Sequence, residues 1–324
     1  MKIAVWGLGS HAQRNTLPAL AKTPSINVVG IYSRNTEVVQ EHAIKYRCKL
    51  YESSELLLAD AEIEGVYLAT PVALHYAEGK QILEAGKHLF VEKSSVTSLT
   101  DANDLAGIAE EKDLVIAECF MYKYHNQCGK LLKIIEDGEL GTIRQIHASF
   151  GFPHLRANNI RYRKDLGGGA LLDAGAYTLS LITLFAKNNF NLRTSTIISQ
   201  ASYEVDTDGI AIFLIDEEIS FVASWGIGRS YKNEVEVWGE EGTACAYRFF
   251  SKPETLEADI NIIKKDGESI LKCPPENHFI SMFRRFTKAA YDVDLRAVLR
   301  NDLIEQARIL ENVLNTSVLI GKPH

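Results

Sequence analysis

The sequence predicts an α/β chain in two parts: an N-terminal doubly wound parallel sheet, then a C-terminal α+β domain built on a large, mostly antiparallel sheet. Three observations predict it. From Lys2 to about Glu118 short β-branched runs alternate with helix-length segments, the pattern of successive βαβ units. A glycine-rich turn, Gly7-Leu8-Gly9-Ser10-His11-Ala12, directly follows the first run. After Phe185, several strand-like runs succeed one another without helices between them, as in an antiparallel sheet.

The strands of the first part are expected at Ile3–Trp6, Val28–Tyr32, Lys49–Tyr51, Val66–Ala69, His88–Val91 and Leu114–Ala117. Helices fill the gaps, among them Thr36–Tyr46 and Ala73–Ala85, the latter ended by Gly86 where a left-handed cap is common. The pattern changes around His125–Asp137 and its Gly138 and Gly141 turn, so the boundary is drawn between residues 1–122 and 123–324. In the second part Ala170–Phe185 reads as a helix. Ile219, Phe221, Ala223 and Trp225 alternate with Ser220, Val222 and Ser224, and Glu234–Trp238 turns through Gly239-Glu240-Glu241-Gly242 into another strand. Phe279–Tyr291 and Asp302–Asn315 return to helical periodicity.

Composition narrows the function. With 35 Lys and Arg against 42 Asp and Glu the net charge is −7, which argues against nucleic-acid or anionic-membrane partners, since both call for a concentrated basic surface. No uninterrupted apolar run approaches the ~18 residues of a membrane span. Five cysteines, odd in number and without a C-x-x-C pair, suggest neither a disulfide framework nor a zinc site and fit a reducing cytoplasm. The nine histidines show no ligand spacing, so no catalytic metal is expected.

The glycine turn matches G-x-G-x-x-A between a strand and a helix, the context of a Rossmann dinucleotide fingerprint. Gly7 permits the tight turn, Gly9 lets the backbone approach a pyrophosphate, and Ala12 keeps the helix close to the strand. Free N–H groups of Ser10, His11 and Ala12 at the helix start then face the phosphates. A second strand that binds NAD through its ribose hydroxyls usually ends in an acid. Here Tyr32-Ser33-Arg34-Asn35 offers a hydroxyl and a guanidinium instead, suited to the 2′-phosphate of NADP(H), with NAD(H) as the lesser option. The plainer alternative leaves Arg34 a solvated residue.

Three further segments, taken with the fingerprint, make the chain similar to the Gfo/Idh/MocA oxidoreductases. They are Ala69-Thr70-Pro71-Val72-Ala73-Leu74-His75, Val91-Glu92-Lys93-Ser94, and Gly167-Gly168-Gly169-Ala170-Leu171-Leu172-Asp173-Ala174-Gly175-Ala176-Tyr177. The resemblance implies that Thr70, Pro71, His75, Glu92 and Lys93 serve the cofactor and that Lys93, Asp173 and Tyr177 are catalytic. Residues four apart share a helix face, so Asp173 and Tyr177 are expected to point into one space. The plainer reading is a buried, satisfied Asp and a core Tyr. Gly175 supports close approach of some group, because an interior helical glycine costs about 1 kcal/mol relative to Ala. Two departures matter. Ser94 stands where the family usually has Pro, which leaves open whether the bond after Lys93 is cis as it commonly is there, and Val72 replaces the Asn of T-P-N-x-x-H.

The resemblance further implies hydride transfer between a nicotinamide and a carbonyl or hydroxyl carbon of a sugar or nucleotide-linked ketosugar. Tyr177 would donate the proton, Lys93 would favour its ionised form, and Asp173 would bond a substrate hydroxyl or orient Lys93. Tyr122, in the segment Glu118–His125, and Arg161, Tyr162 and Arg163 are expected substrate contacts, the last three with a phosphate or as solvated loop residues. A simple aldose or trans-dihydrodiol dehydrogenase, an NAD-dependent glycosidase and a non-catalytic NAD(P)-binding regulator are the alternatives. Family members generally bury the open sheet face against another subunit, so a homodimer or homotetramer is expected.

Overall fold

The structure, a computed structural model, describes residues 1–34, 36–186 and 189–321. Asn35, part of the second-strand signature, lies outside them. The chain forms two compact units, Met1–Phe120 with Phe279–Ala307, and Met121–His278 with Arg308–His324.

In the first unit the strands are β1 Lys2–Trp6, β2 Asn27–Tyr32, β3 Lys49–Leu50, β4 Gly65–Leu68, β5 His88–Glu92 and β6 Ile116–Cys119. The helices between them are α1 Leu17–Lys22, α2 Thr36–Tyr46, α3 Ser54–Ala59, α4 His75–Glu84 and α5 Leu99–Glu111. The sheet is wholly parallel in the order β3-β2-β1-β4-β5-β6, the doubly wound arrangement with its ligand edge at the C-terminal ends of the strands. All four residues of β4 are buried, as a central parallel strand covered on both faces requires. β6 starts two residues later than the sequence reading placed it.

The spatial units also depart from the linear division at 122/123, because Phe279–Ala307 packs with the first unit. Phe279, Met282, Phe283 and Phe286 recur at helical spacing and are all buried. Phe283 meets Tyr67 edge-on at 5.8 Å and Phe286 lies 5.3 Å from Phe90. Periodicity shows that a helix has an apolar face; it does not say which sheet receives it.

The second unit carries a nine-stranded sheet in the order β14-β13-β12-β11-β7-β10-β9-β8-β15. Its strands are β7 Ile143–Phe152, β8 Phe190–Ser199, β9 Asp208–Ile215, β10 Ile219–Ile227, β11 Lys232–Gly239, β12 Gly242–Tyr247, β13 Ala258–Lys264, β14 Gly267–Cys273 and β15 Val318–Gly321. Only the β7–β10 and β8–β15 pairs are parallel. Its helices are α6 Asn126–Glu136, α7 Ala176–Ser180 and α8 Ile182–Phe185; of the two that follow, α9 His278–Ala289 and α10 Val293–Thr316, residues Phe279–Ala307 belong to the first unit. α10 starts nine residues before the expected Asp302: Asp292 accepts from Leu295 N at 3.0 Å and caps it. Ala148, Phe221, Ala223, Trp225, Val235 and Val237 are buried on one side of the sheet.

By length and composition Lys164–Phe185 is apolar enough to cross a membrane, which the sequence reading did not anticipate. Within the fold it is mostly buried and forms core. It is not one regular helix, since Leu171–Gly175 winds as a π-turn before α7. The glycines explain its seat. A Cβ at Gly175 would lie 3.0 Å from Trp225 Cδ2, and one at Gly209 would lie 2.2 Å from Trp225 Cζ2. The Trp225 indole therefore occupies space that only two glycines leave open.

The start of that segment is held by Asp206. Its carbonyl accepts from Ala170 N at 3.0 Å, and its Oδ2 from Leu171 N at 2.7 Å. A Cβ at Gly169, where φ is +121°, would collide with Asp206 Oδ1 at 2.2 Å. Burial pushes the Asp206 carboxyl up to about 6, against the backbone donors, Leu171 N among them, that favour its charge. The folded protein thus retains this proton between about pH 4 and 6, where an unfolded carboxylate has lost it, so the contribution to stability falls as pH rises through that window. The stability of the wild type relative to Asp206→Asn should drop by about 2–3 kcal/mol between pH 4 and 7. Urea unfolding of both proteins at each pH measures this; a difference independent of pH would contradict it.

Candidate functional site

The fingerprint is shaped to receive a dinucleotide. Gly7 has φ +95°, and a Cβ there would lie 2.7 Å from Ala69 C and 2.8 Å from Thr70 N, so backbone packing excludes any side chain. A Cβ at Gly9 would meet nothing within 4 Å, leaving open space above the turn. Gln13 N donates to Gly9 O at 3.0 Å, and Ala12 is buried against the strand while Ser10 and His11 are exposed. This cradle fits a pyrophosphate. When bound, the nicotinamide dinucleotide would supply hydride chemistry.

Ser33 is half-buried and Arg34 exposed at the end of β2. Across the sheet Thr70 donates its hydroxyl proton to Glu78, which sequence reasoning missed because no motif marks it. Arg34 acts electrostatically on Glu78, lowering its pKa, while burial raises it more. His75 is buried and lies between two carbonyls, with Nε2 2.8 Å from Thr70 O and Nδ1 2.9 Å from Ser94 O. That places it as a strut between the loops after β4 and β5. Burial holds its pKa down, although the two carbonyls favour the charged ring. Pro71 is extended ahead of the short turn Val72–Leu74.

Glu92 ends β5 and accepts from the phenol of Tyr67; His11 Nε2 approaches it to 3.7 Å. Lys93 follows, and the Lys93–Ser94 bond is cis although residue 94 is not Pro. Ser94 and Ser95 are buried, and Ser95 N donates to Glu118 Oε1 at 2.7 Å. Lys93 is therefore presented from a backbone tied to β4 and β6.

In the second unit Asp173 lies in the π-turn Leu171–Gly175 and Tyr177 in α7. Arg161 Nε donates to Asp173 Oδ2 at 2.5 Å. The Arg161 pKa is raised chiefly by Asp173, and Tyr177 contributes in the same direction, so this guanidinium lies within electrostatic reach of both. Tyr177 is buried among the rings of Phe150, Tyr122 and Phe250, with centroids 5.4, 6.2 and 6.0 Å away, and its hydroxyl lies 3.5 Å from Met121 Sδ.

Two expected substrate contacts are otherwise engaged. Tyr122 is fully buried, its hydroxyl 2.8 Å from Ser180 Oγ and its ring against Phe249 and Phe250, so it backs Tyr177 rather than facing a ligand. Tyr162 is buried too. Its ring stacks on Tyr203 at 4.6 Å and its hydroxyl accepts from Leu155 N at 3.0 Å. Arg161 is partnered with Asp173, whereas Arg163 is exposed and pairs with Asp165. Among the described residues no group of His, Cys, Asp and Glu could hold a metal ion.

Residues 1–120 match the model of an oxidoreductase family with an NAD-binding Rossmann fold, and residues 129–245 match the GFO/IDH/MocA C-terminal domain. A dTDP-3,4-didehydro-2,6-dideoxy-alpha-D-glucose 3-reductase from Saccharopolyspora spinosa is 31% identical over 97% of this chain and 96% of its own. A trans-1,2-dihydrobenzene-1,2-diol dehydrogenase from Danio rerio is 26% identical over 70% of this chain and 67% of its own. A 3-ketoreductase from Actinomadura kijaniata, solved with NADP and TDP-benzene, is similar with a TM-score of 0.95 and 27% identity, covering 100% of this chain and 99% of that one. Further structures of that ketoreductase carry a lysine changed to alanine or a tyrosine changed to phenylalanine; those two positions are as far apart in its chain as Lys93 and Tyr177 are here. Both units are matched, and the chain belongs to the Gfo/Idh/MocA family of NAD(P)-dependent oxidoreductases.

Proposed function

We propose that this enzyme transfers a hydride between NADP(H) and a nucleotide-linked ketosugar, with Tyr177 as the acid that protonates the carbonyl oxygen in the reducing direction. The carrying observation is the Arg161 guanidinium held by Asp173 within reach of the Tyr177 phenol. A cation beside a phenol favours the tyrosinate that remains after proton donation. Lys93 serves the same step as a second cation. Asp173, fixed by Arg161, has further acceptor capacity for a substrate hydroxyl. The exposed Arg163 suits a phosphate or diphosphate. Residues 1–122 then form the cofactor domain and 123–324 the substrate and assembly domain, with helix α9 and the first part of α10 packed on the former. The ketosugar reductase from Saccharopolyspora spinosa matches nearly the full chain and the dihydrodiol dehydrogenase only part of it, which favours the nucleotide-linked substrate. A cytoplasmic setting fits the five free cysteines.

We also infer assembly through the open face of the nine-stranded sheet. Trp238 pairs with Thr243, and Thr243 with Ile263, so these share a face, and by the same registers Tyr247 and Ile270 lie on it. Trp238, Tyr247, Ile263 and Ile270 are all exposed, an apolar surface that a monomer seldom leaves uncovered. Light scattering at micromolar protein should give a dimer or tetramer mass; a monomer mass independent of concentration contradicts this.

For the cofactor, Arg34→Leu should weaken NADPH binding by about 1.5–3 kcal/mol, the range for a hydrogen bond to a charged group, and leave NADH nearly unchanged. Equal losses for the two cofactors in a binding titration would remove Arg34 from the 2′-phosphate. For catalysis, Tyr177→Phe keeps the ring among Phe150, Phe250 and Tyr122 while deleting its proton. Turnover with a dTDP-ketosugar should fall about 10²- to 10⁴-fold with folding and cofactor binding retained. Lys93→Met should slow turnover as well, and the double variant should lose much less than the product of the two. Near-normal kcat in folded Tyr177→Phe would exclude the phenol as the acid.

A further inference from the structure

The adenosine end of the cofactor site holds a charge that the fingerprint does not explain. β1 is in register with both neighbours up to its last residue: Trp6 lies opposite Tyr32 in β2 and opposite Leu68 in β4. Gly7 N donates to Tyr32 O and Ala69 N to Trp6 O, both at 2.8 Å. The loops bearing Ser33-Arg34 and Thr70 therefore leave the sheet at one level, on either side of the glycine turn. Thr70 donates its hydroxyl proton to Glu78 Oε2, which draws that carboxylate from α4 back toward the strand ends. Glu78 is half-buried, and Arg34 is the charged group that acts on it electrostatically.

We propose that Glu78 is a specificity-determining residue that competes with the 2′-phosphate of NADP(H) for Arg34, and so keeps the preference over NAD(H) smaller than Ser33 and Arg34 alone would make it. This rests on the reading that Arg34 contacts the 2′-phosphate. A phosphate monoester brings a charge of about −1.5 to −2 at neutral pH, and on reaching Arg34 it approaches the Glu78 carboxylate that Thr70 holds at the end of β4. Like charges held close in a partly desolvated site repel. NADH brings no such group, so the carboxylate weighs on one cofactor only, and selectivity is the difference between the two affinities. Thr70 is what aims Glu78, because its hydroxyl pins Oε2 near the end of β4.

Glu78→Gln tests the inference. The amide oxygen still accepts from Thr70 while the charge is gone. Equilibrium titrations of NADPH and NADH, read by cofactor fluorescence and by calorimetry, are compared for the wild type, Glu78→Gln, Arg34→Leu and the double variant, each checked for an unchanged melting transition. Glu78→Gln should lower the Kd for NADPH about 3- to 10-fold and leave that for NADH within about twofold, and the gain should vanish in the Arg34→Leu background. An equal change for both cofactors, or a selective loss of NADH, overturns the inference, the latter making Glu78 a ribose acceptor. If Arg34→Leu loses NADPH selectively while Glu78→Gln is silent, the inference falls and the Arg34 reading stands. If Arg34→Leu is itself silent, that reading falls and takes the inference with it.

Discussion

Much of the first unit follows from the lack of a side chain at residue 7. Gly7 rests against the Ala69–Thr70 backbone closely enough to exclude a methyl group, and this contact locks the glycine turn to the end of β4. Thr70 then passes the constraint on. Its carbonyl meets one nitrogen of His75, whose other nitrogen meets Ser94 O, and its hydroxyl holds Glu78. A continuous line of polar contacts thus runs from the phosphate cradle to the backbone beside Lys93. Residues that look like separate motifs in the sequence are parts of one brace.

The second unit uses the same device with a different filler. Trp225 occupies the space left by Gly175 and Gly209, seating the segment that bears Asp173 and Tyr177 on the sheet. The π-turn Leu171–Gly175 sits where that contact is made, and such widened turns are frequent at functional sites. At its start, Gly169 gives way to the Asp206 carboxylate, while a Cβ at Gly168 would lie 2.6 Å from Arg161 O. The glycine run is thereby folded against the same short turn that aims Arg161 at Asp173.

The fold class was legible because its signals are local. Alternation marked the strands, the fingerprint stood between a strand and a helix, and Gly175 announced a close approach. The partner in that approach was not legible, since nothing in residues 219–227 marks Trp225 as the ring that fills the gap. Long-range choices were hidden in the same way. The apolar stripe of Phe279, Met282, Phe283 and Phe286 was plain, but its docking on Phe90 and Tyr67, within the first spatial unit, was not. At the site, the four-residue spacing drew attention to Asp173 and Tyr177, but the pairing of Arg161 with Asp173 was not legible, because a charge in a loop does not name the aspartate twelve positions on that pairs with it. The partners of Tyr122 and Tyr162 were hidden for a related reason: a tyrosine's amphipathic ring serves a core or a ligand equally well, and nothing local marks Ser180 or Leu155 N as the group its hydroxyl meets.

The chemistry proposed for Tyr177 asks one thing of its surroundings: a phenol that gives up its proton needs the resulting anion stabilised. The Tyr177 ring packs against Phe150, Phe250 and Tyr122, and its hydroxyl lies 3.5 Å from the Met121 thioether. On the proposed reading Arg161 would meet the requirement, as a positive charge whose own counterion, Asp173, holds it in place. Tyr122 keeps its ring beside Tyr177 while its hydroxyl is 2.8 Å from Ser180 Oγ, which ties that wall of the site to the segment that bears Tyr177.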